Sequence, residues 1–420
     1  MRIRIPHLTA LAALALAAAP GHAQDRRPLT ALDFYHIKNA GAVNLSPDGR
    51  RAVFVVTEVD SADNRYRRDL WIANTDGSGL RRLTWTNARG IGAPRFSPDG
   101  RMIAFTQSRE SGPGQVWILP LAEGGEAWPL TDIETGAFGP VWSPDSRRIA
   151  FMSSLTPEQL AKSDSAAADS AKKADEAKVD AGAIRNINED RAAALASIRA
   201  KLAANAHERD PRVVTRLAYL GETSIEEEEY GQIYVIDVRQ GAKPVQLTRA
   251  AYGIGSPEWT PAGDSLIYSA GPPRQAGLHP DYEMESDLVV ASADGRGTGR
   301  TIAEARYGED GGTFSPDGRH IVYVRFLVDT EYTTATNAEL MVMRRDGTDR
   351  RSITGPMDRN PGDFTITRDG WLYFTVASEG AAPLYRTRLD RIDPQPVVQG
   401  PRGVLSFDAV NGRIAWSEMN

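Results

Sequence analysis

The chain contains no cysteine in 420 residues. That excludes disulfide staples, thiolate metal centres and a cysteine nucleophile, and leaves core packing to hold the fold. An excess of positive charge is also missing. Lys and Arg number 49 against 55 Asp and Glu, for a net charge of −6, and no basic stripe runs along the sequence, so nucleic acid is not an expected partner. Histidine is scarce. Past residue 23 only His36, His207, His279 and His320 occur, scattered without the spacing that metal ligands need. The stretch "SGPGQ" (111–115) lacks the Lys and the following helix of a phosphate loop. Neither a metal nor another cofactor is expected.

Long apolar runs are absent apart from Leu8–Ala19 near the start. Arg2 and Arg4 precede that run, and Gly21-His22-Ala23 follows it with small residues where cleavage requires them. Residues 1–23 therefore read as a secretory signal peptide cut before Gln24. The run is too short to span a bilayer comfortably, and no cysteine follows it to take a lipid. An uncleaved anchor is the alternative. The mature chain, 24–420, is expected in the periplasm or outside the cell, without a membrane partner.

What the chain does have is a repeated decapeptide. "LSPDGRRAVF" (45–54), "FSPDGRMIAF" (96–105) and "FSPDGRHIVY" (314–323) share a turn flanked by alternating apolar residues. Pro presets φ in such a turn, Asp suits the next position and Gly the one after. Strand, turn, strand is the expected unit. Weaker copies are "WSPDSRRIAF" (142–151), "WTPAGDSLIY" (259–268), "ITRDGWLYF" (366–374) and "AVNGRIAW" (409–416). The turns recur about 42 to 55 residues apart, except for one interval of about 117, which matches a four-stranded blade period.

Third strands follow at 69–74, 115–121, 232–238, 287–292, 339–344 and 383–388. Short fourth strands are expected at Leu83-Thr84, Leu130-Thr131, Leu247-Thr248, Ile302, Ile353-Thr354 and Val397-Val398. Four strands per unit, repeated, predict an all-β fold, a β-propeller. Seven blades are expected, the last incomplete, with eight as the competing count.

The long interval holds an Ala-rich, charged insertion in blade three, residues 156–210. Thr156, Pro157 and Gln159 form a helix start with a capping box, and Ile184 to Ala203 repeats apolar residues at helical spacing. The segment is expected to be helical or disordered and to lie outside the ring.

The segments "NRYRRDLWIANTDGSGLRRLT" (64–84), "PRFSPDGRMIAF" (94–105), "GQVWILPLAEGGEAWPLTD" (114–132), "VWSPDSRRIAF" (141–151) and "PRVVTRLAYL" (211–220) resemble the propeller of prolyl oligopeptidase-family serine peptidases. The similarity is greatest to the bacterial acylaminoacyl-peptidase and dipeptidyl-aminopeptidase branch. It implies a ring that limits access of short peptides to an α/β-hydrolase domain with a Ser-Asp-His triad. This sequence contains no G-x-S-x-G elbow, so no catalytic residue can be assigned, and the chain is expected to be inactive alone. A blade left half-built at "GRIAWSEMN" fits a truncated peptidase sequence in which the hydrolase domain is absent. A stand-alone TolB-like periplasmic protein-binding propeller is the alternative, since such propellers share the SPDG turn. A metal-dependent propeller lyase suffers from the lack of clustered histidines. No oligomeric state is implied.

Candidate sites are few. Glu226, Glu227, Glu228 and Glu229 form the most pointed charge cluster. Related dipeptidyl peptidases hold a peptide's positive N-terminus on propeller glutamates, through charge-assisted hydrogen bonds. The flanking motif differs from theirs, and a solvated loop is the competing reading. The SPDG aspartates are explained as turn formers rather than calcium ligands, and most tryptophans as blade packing.

Overall fold

The computed structural model describes residues 30–419, apart from 86–89, 109–111, 122–124, 164–228, 272–284, 297–298, 303–306 and 328–336. The expected signal peptide, most of the insertion, the "PRVVTRLAYL" segment and Glu226 to Glu228 lie outside the described residues.

The architecture is a β-propeller. Blade 1 comprises β1 (Lys38–Leu45), β2 (Arg51–Asp60), β3 (Arg65–Asn74) and β4 (Arg81–Arg82). Blade 2 comprises β5 (Gly90–Phe96), β6 (Met102–Ser108), β7 (Gln115–Pro120) and β8 (Trp128–Pro129). Blade 3 comprises β9 (Phe138–Trp142), β10 (Arg148–Leu155), β11 (Tyr230–Asp237) and β12 (Val245–Gln246). Blade 4 comprises β13 (Ile254–Trp259), β14 (Ser265–Ala270), β15 (Asp287–Ser292) and β16 (Arg300–Ile302). Blade 5 comprises β17 (Tyr307–Phe314), β18 (His320–Leu327), β19 (Glu339–Arg344) and β20 (Arg351–Ser352). Blade 6 comprises β21 (Pro361–Ile366), β22 (Trp371–Val376), β23 (Leu384–Arg388) and β24 (Gln395–Val398).

Six sheets are therefore four-stranded antiparallel meanders, and the expectation of seven blades is corrected to six. The seventh unit of the sequence forms only a two-stranded sheet, β25 (Gly403–Val410) and β26 (Arg413–Met419). Its Asn-Gly turn suffices for a hairpin, and among the described residues no third strand pairs with β26.

The turn chemistry is the one the repeat implied. In blade 2 the Ser97 hydroxyl donates to Asp99 at 2.5 Å and accepts the Met102 N–H at 3.0 Å, while Asp99 accepts the Arg101 N–H at 3.0 Å. The same three bonds recur around Ser46, Ser143 and Ser315. The serine hydroxyl first, with help from the backbone N–H, holds Asp48, Asp145 and Asp317 below the ordinary carboxylate range. Gly100 takes φ of 71°, but blade 3 places Ser146 there at φ 62°. A left-handed Ser costs about 1 kcal/mol. Its hydroxyl accepts the Asp99 N–H of the neighbouring turn at 3.1 Å, which offsets that cost.

The short fourth strands fall two residues ahead of the Leu-Thr pairs in blades 1, 2 and 3, for a physical reason. In each pair the leucine N–H still reaches the third strand's carbonyl, as Leu83 to Leu70 at 2.7 Å and Leu130 to Val116 at 2.8 Å. The threonine side chain then replaces the backbone. Thr131 Oγ1 accepts the Val116 N–H at 2.9 Å and donates to Gln115 at 2.7 Å, and Thr84 and Thr248 do the same with Asp69 and Gln232. A buried hydroxyl thus ends each sheet without orphaned donors.

The core lies between blades rather than within one. Val53, Leu70 and Ile72 of blade 1 pack on Ile103, Phe105 and Trp117 of blade 2. Similar apolar layers join each following pair, through to Tyr373 and Leu384 of blade 6 against Val404 and Ala409 of β25. Between the β25–β26 sheet and blade 1 the bonding is polar. Asp408 accepts from the Leu45 N–H and the Asn44 amide, both at 2.8 Å, and Arg413 donates to the Gly49 carbonyl at 3.2 Å. Arg51 and Arg148 reach the next blade's turn glycine in the same way, at Gly100 and Gly263. Ring closure therefore repeats the contact used between complete blades.

The insertion begins as expected. Residues 157–163 are helical. The Thr156 N–H donates to Gln159 Oε1 at 2.9 Å and the Gln159 N–H to Thr156 Oγ1 at 3.3 Å, a reciprocal capping box. Leu160 is buried with Leu155 and Tyr230, which pins this first turn to blade 3.

Candidate functional site: the central channel

The first strand of every sheet faces the ring axis, and together these strands line an open channel cavity of about 710 Å³. Its size lies within the range of small-molecule sites. One repeat position, two residues before the turn Ser or its equivalent, dominates the wall. It is occupied by Asn44, Arg95, Val141, Glu258, Thr313, Thr365 and Asp408 in turn, and all seven line the cavity.

A β-bulge just ahead of this position directs it. The pairing register shifts between Gly41 and Asn44, between Gly92 and Arg95, between Gly255 and Glu258, and between Asp310 and Thr313. At these bulges Ala42, Ala93, Ser256 and Gly311 take φ between 49° and 66°. A bulge bends its strand and re-aims the following side chain.

Adjacent inner strands are stitched at this level. Phe96 N–H donates to Asn44 Oδ1 at 2.8 Å. The Trp142 indole donates to the Arg95 carbonyl at 3.1 Å and the Trp259 indole to the Val141 carbonyl at 3.0 Å. These bonds fix the backbone on which the charged side chains stand.

Three of the seven residues are ionisable, and their surroundings differ. Asp408 is engaged in structure. Burial raises its pKa, against the opposing effect of the Leu45 and Ala409 N–H groups, Arg95 and the Asn44 amide. Glu258 has no hydrogen-bond partner among the described residues. Its burial in the channel wall pushes its pKa up to about 7, with the Arg95 guanidinium pulling the other way. Arg95 is exposed to the channel, and among the described residues its side chain makes one hydrogen bond, a long contact from Nη1 to the Pro94 carbonyl at 3.5 Å. No ion pair joins Arg95 to either carboxylate. The remaining wall mixes apolar side chains, Phe138, Met152, Phe314, Phe364 and Phe407 among them, with Ser256 and Asp363.

The glutamates singled out from sequence are not part of this wall. Glu229 is exposed immediately before β11 and does not line the cavity, while its three neighbours lie outside the described residues. Arg95, Glu258 and Asp408 escaped sequence reasoning. The available signal was the repeat itself: aligned on the turn, the three strong copies agree at Ser, Asp and Gly and differ two residues earlier, at Asn44, Arg95 and Thr313. Among the described residues no group of His, Asp and Glu has a metal-binding arrangement. The turn serines offer no free nucleophile either, since Ser97 and Ser315 are buried and bonded within their own turns.

Fold and channel together define a β-propeller whose central channel carries a ring of mostly polar side chains. More particularly, the chain is homologous to the propellers of peptidases. It is 25% identical over 397 residues to dipeptidyl-peptidase 5 of Porphyromonas gingivalis, which covers 90% of this chain and 50% of that protein. It is 28% identical over 246 residues to the uncharacterized peptidase YuxL of Bacillus subtilis, covering 58% and 31%. Among solved structures, Pyrococcus horikoshii acylaminoacyl peptidase superposes with a TM-score of 0.61 at 17% identity, over 92% of this chain and 50% of that one. The β-propeller domain of the Trilobed protease from Pyrococcus furiosus superposes with 0.56 at 16% identity, over 89% and 88%. These two superpositions establish the fold. The chain spans half the length or less of the curated relatives it matches. No family profile matches it.

Proposed function

We propose that this chain is the substrate-gating propeller of an exported serine peptidase that acts on short peptides. Its catalytic Ser, Asp and His would belong to an α/β-hydrolase domain joined to it. The observation that carries this reading is the alignment of 90% of the chain with half of a dipeptidyl-peptidase. On this reading the β25–β26 sheet is the inner half of a seventh blade.

The geometry supports the assignment in two ways. A cavity of about 710 Å³ admits a short peptide but excludes a folded domain, whose radius of gyration is about 13 Å for 100 residues. The ring's two ends also leave on one face. β1 starts at Lys38 and β26 ends at Met419, each at the end of its sheet away from the tight turns. Beside β1, the 3₁₀ helix Ala31–His36 and the residue after it expose Leu32, Phe34, Tyr35 and Ile37. An apolar cluster on the face where both ends emerge suits an adjoining domain.

The test is labelling by a fluorophosphonate probe, which reports an activated serine. Residues 24–420 should not be labelled and should not hydrolyse chromogenic dipeptides. The product of the complete reading frame should be labelled at one serine. Stoichiometric labelling of 24–420 would overturn the assignment of catalysis to a joined domain. A complete reading frame without a G-x-S-x-G elbow, Asp and His would overturn the peptidase reading and favour a stand-alone binding propeller.

A further inference from the structure

We propose that Arg95 and Glu258 form a binding site for an organic carboxylate inside the channel. Four observations converge on it. Arg95 is exposed to the open central channel and has no ion-pair partner among the described residues, although Asp408 and Glu258 line the same channel. A guanidinium in that position presents a planar fork that matches a carboxylate. Glu258 stands on the inner strand two blades away, also without a hydrogen-bond partner. Val141 alone separates the two at this level of the ring, which leaves a gap rather than a contact. The flanking wall mixes apolar side chains, Phe138, Phe314 and Phe364 among them, with the exposed Ser256 and Asp363, and a few convergent polar groups beside apolar surface are what binding sites offer.

The division of labour follows from charge. Below about pH 7 Glu258 is protonated, so it donates a hydrogen bond to the bound carboxylate while Arg95 supplies the charge. Above that pH the ionised Glu258 repels the ligand. Asp408 and Asp363 are the other carboxyl groups facing this space, from β25 and β21. Asp408 is occupied by the Leu45 and Ala409 N–H groups and the Asn44 amide, and Asp363 is exposed. A peptide C-terminus and a simple aliphatic acid offer the same group. The peptidase reading supplies only the choice of a peptide as first probe, and the carboxylate site stands without it.

Calorimetry on the purified chain tests this without any need for hydrolysis. Trialanine, trialanine amide and hexanoate are titrated at pH 6 and pH 8. Trialanine should bind at pH 6. Amidation, or Arg95→Gln, should weaken binding about 10- to 100-fold, the usual range for a charged hydrogen bond. Arg95→Lys should recover part of the loss. Affinity of the native chain should fall about tenfold from pH 6 to pH 8, and Glu258→Gln should remove that dependence while keeping the binding. A cooperative thermal unfolding transition establishes that each variant is folded. Binding of hexanoate as tight as that of trialanine keeps the site but assigns it to simple acids. Equal binding of acid and amide, or no binding of either acid, overturns the site. A pH dependence that survives in Glu258→Gln overturns the role of Glu258. Peptide hydrolysis by the complete protein without carboxylate binding here would sink this site alone, and binding without hydrolysis would sink only the peptidase reading.

Discussion

Arg95 and Ser97 are two residues apart, one on the inner strand of blade 2 and one just past its end, yet they belong to different parts of the molecule. Ser97 is fully buried and closes a turn whose bonds recur around Ser46, Ser143 and Ser315. Arg95 is exposed to the channel, at a position where seven units carry six different residue types. The turn face of the ring is uniform because each blade must solve the same problem of reversing direction and abutting its neighbour. The channel wall is varied because backbone geometry fixes only where its side chains point. In a repeat protein, identity between copies therefore marks what holds the fold, and divergence at an aligned position marks where chemistry is free to reside.

The largest effect is expected where that separation fails. Asp408 occupies the channel position but serves the fold, since it accepts the Leu45 and Ala409 N–H groups at the closing seam. Asp408→Ala leaves those donors and the Asn44 amide without their acceptor. Urea denaturation should show a loss of about 3 kcal/mol or more, the sharpest destabilisation among the channel residues.

Glu258→Gln should act in the opposite direction and only at higher pH. The folded chain holds the Glu258 proton up to about pH 7, whereas an unfolded chain releases it near the ordinary value. The folded state thus binds more protons across that window, and its stability falls as pH rises through it. Above pH 7 the ionised carboxyl costs at most about 3 kcal/mol, reduced by water in the channel. Denaturation midpoints should show the glutamine variant more stable than the native chain at pH 8 and equal to it at pH 4.

Ser97→Ala removes the acceptor of the Met102 N–H and the donor to Asp99. A loss of about 2 kcal/mol is expected in the same assay, with the channel untouched. The smallest effect is a gain. Ala93 takes φ of 49° at the bulge before Arg95, where glycine carries no Cβ penalty. Ala93→Gly should stabilise by about 0.5–1 kcal/mol, the strain relieved less the added freedom of the unfolded chain.

The same contrast explains what could be read in advance. The SPDG turns, third strands and capping box at Thr156 were legible because each follows from local chemistry of a few adjacent residues. The blade count was legible only in part: "AVNGRIAW" carries a hairpin signal, but whether outer strands accompany it is not a local property. The channel residues were not legible because their meaning depends on seven strands converging on one axis. Arg95 beside Phe96 looks like any solvated strand arginine until the ring places Glu258 in the same cavity. The run Glu226 to Glu229 drew attention through local charge density, which carries no information about position in the ring.

The central claim, that turn residues build the ring and the channel position two residues earlier carries its chemistry, is tested most directly by a double comparison of Ser97→Ala and Arg95→Gln. Each variant is measured for its denaturation midpoint and for trialanine affinity at pH 6. Ser97→Ala should unfold more readily and bind as the native chain does, while Arg95→Gln should unfold as the native chain does and lose binding at least about tenfold. If stability and affinity move together in both variants, turn and channel are not separable and the account is wrong.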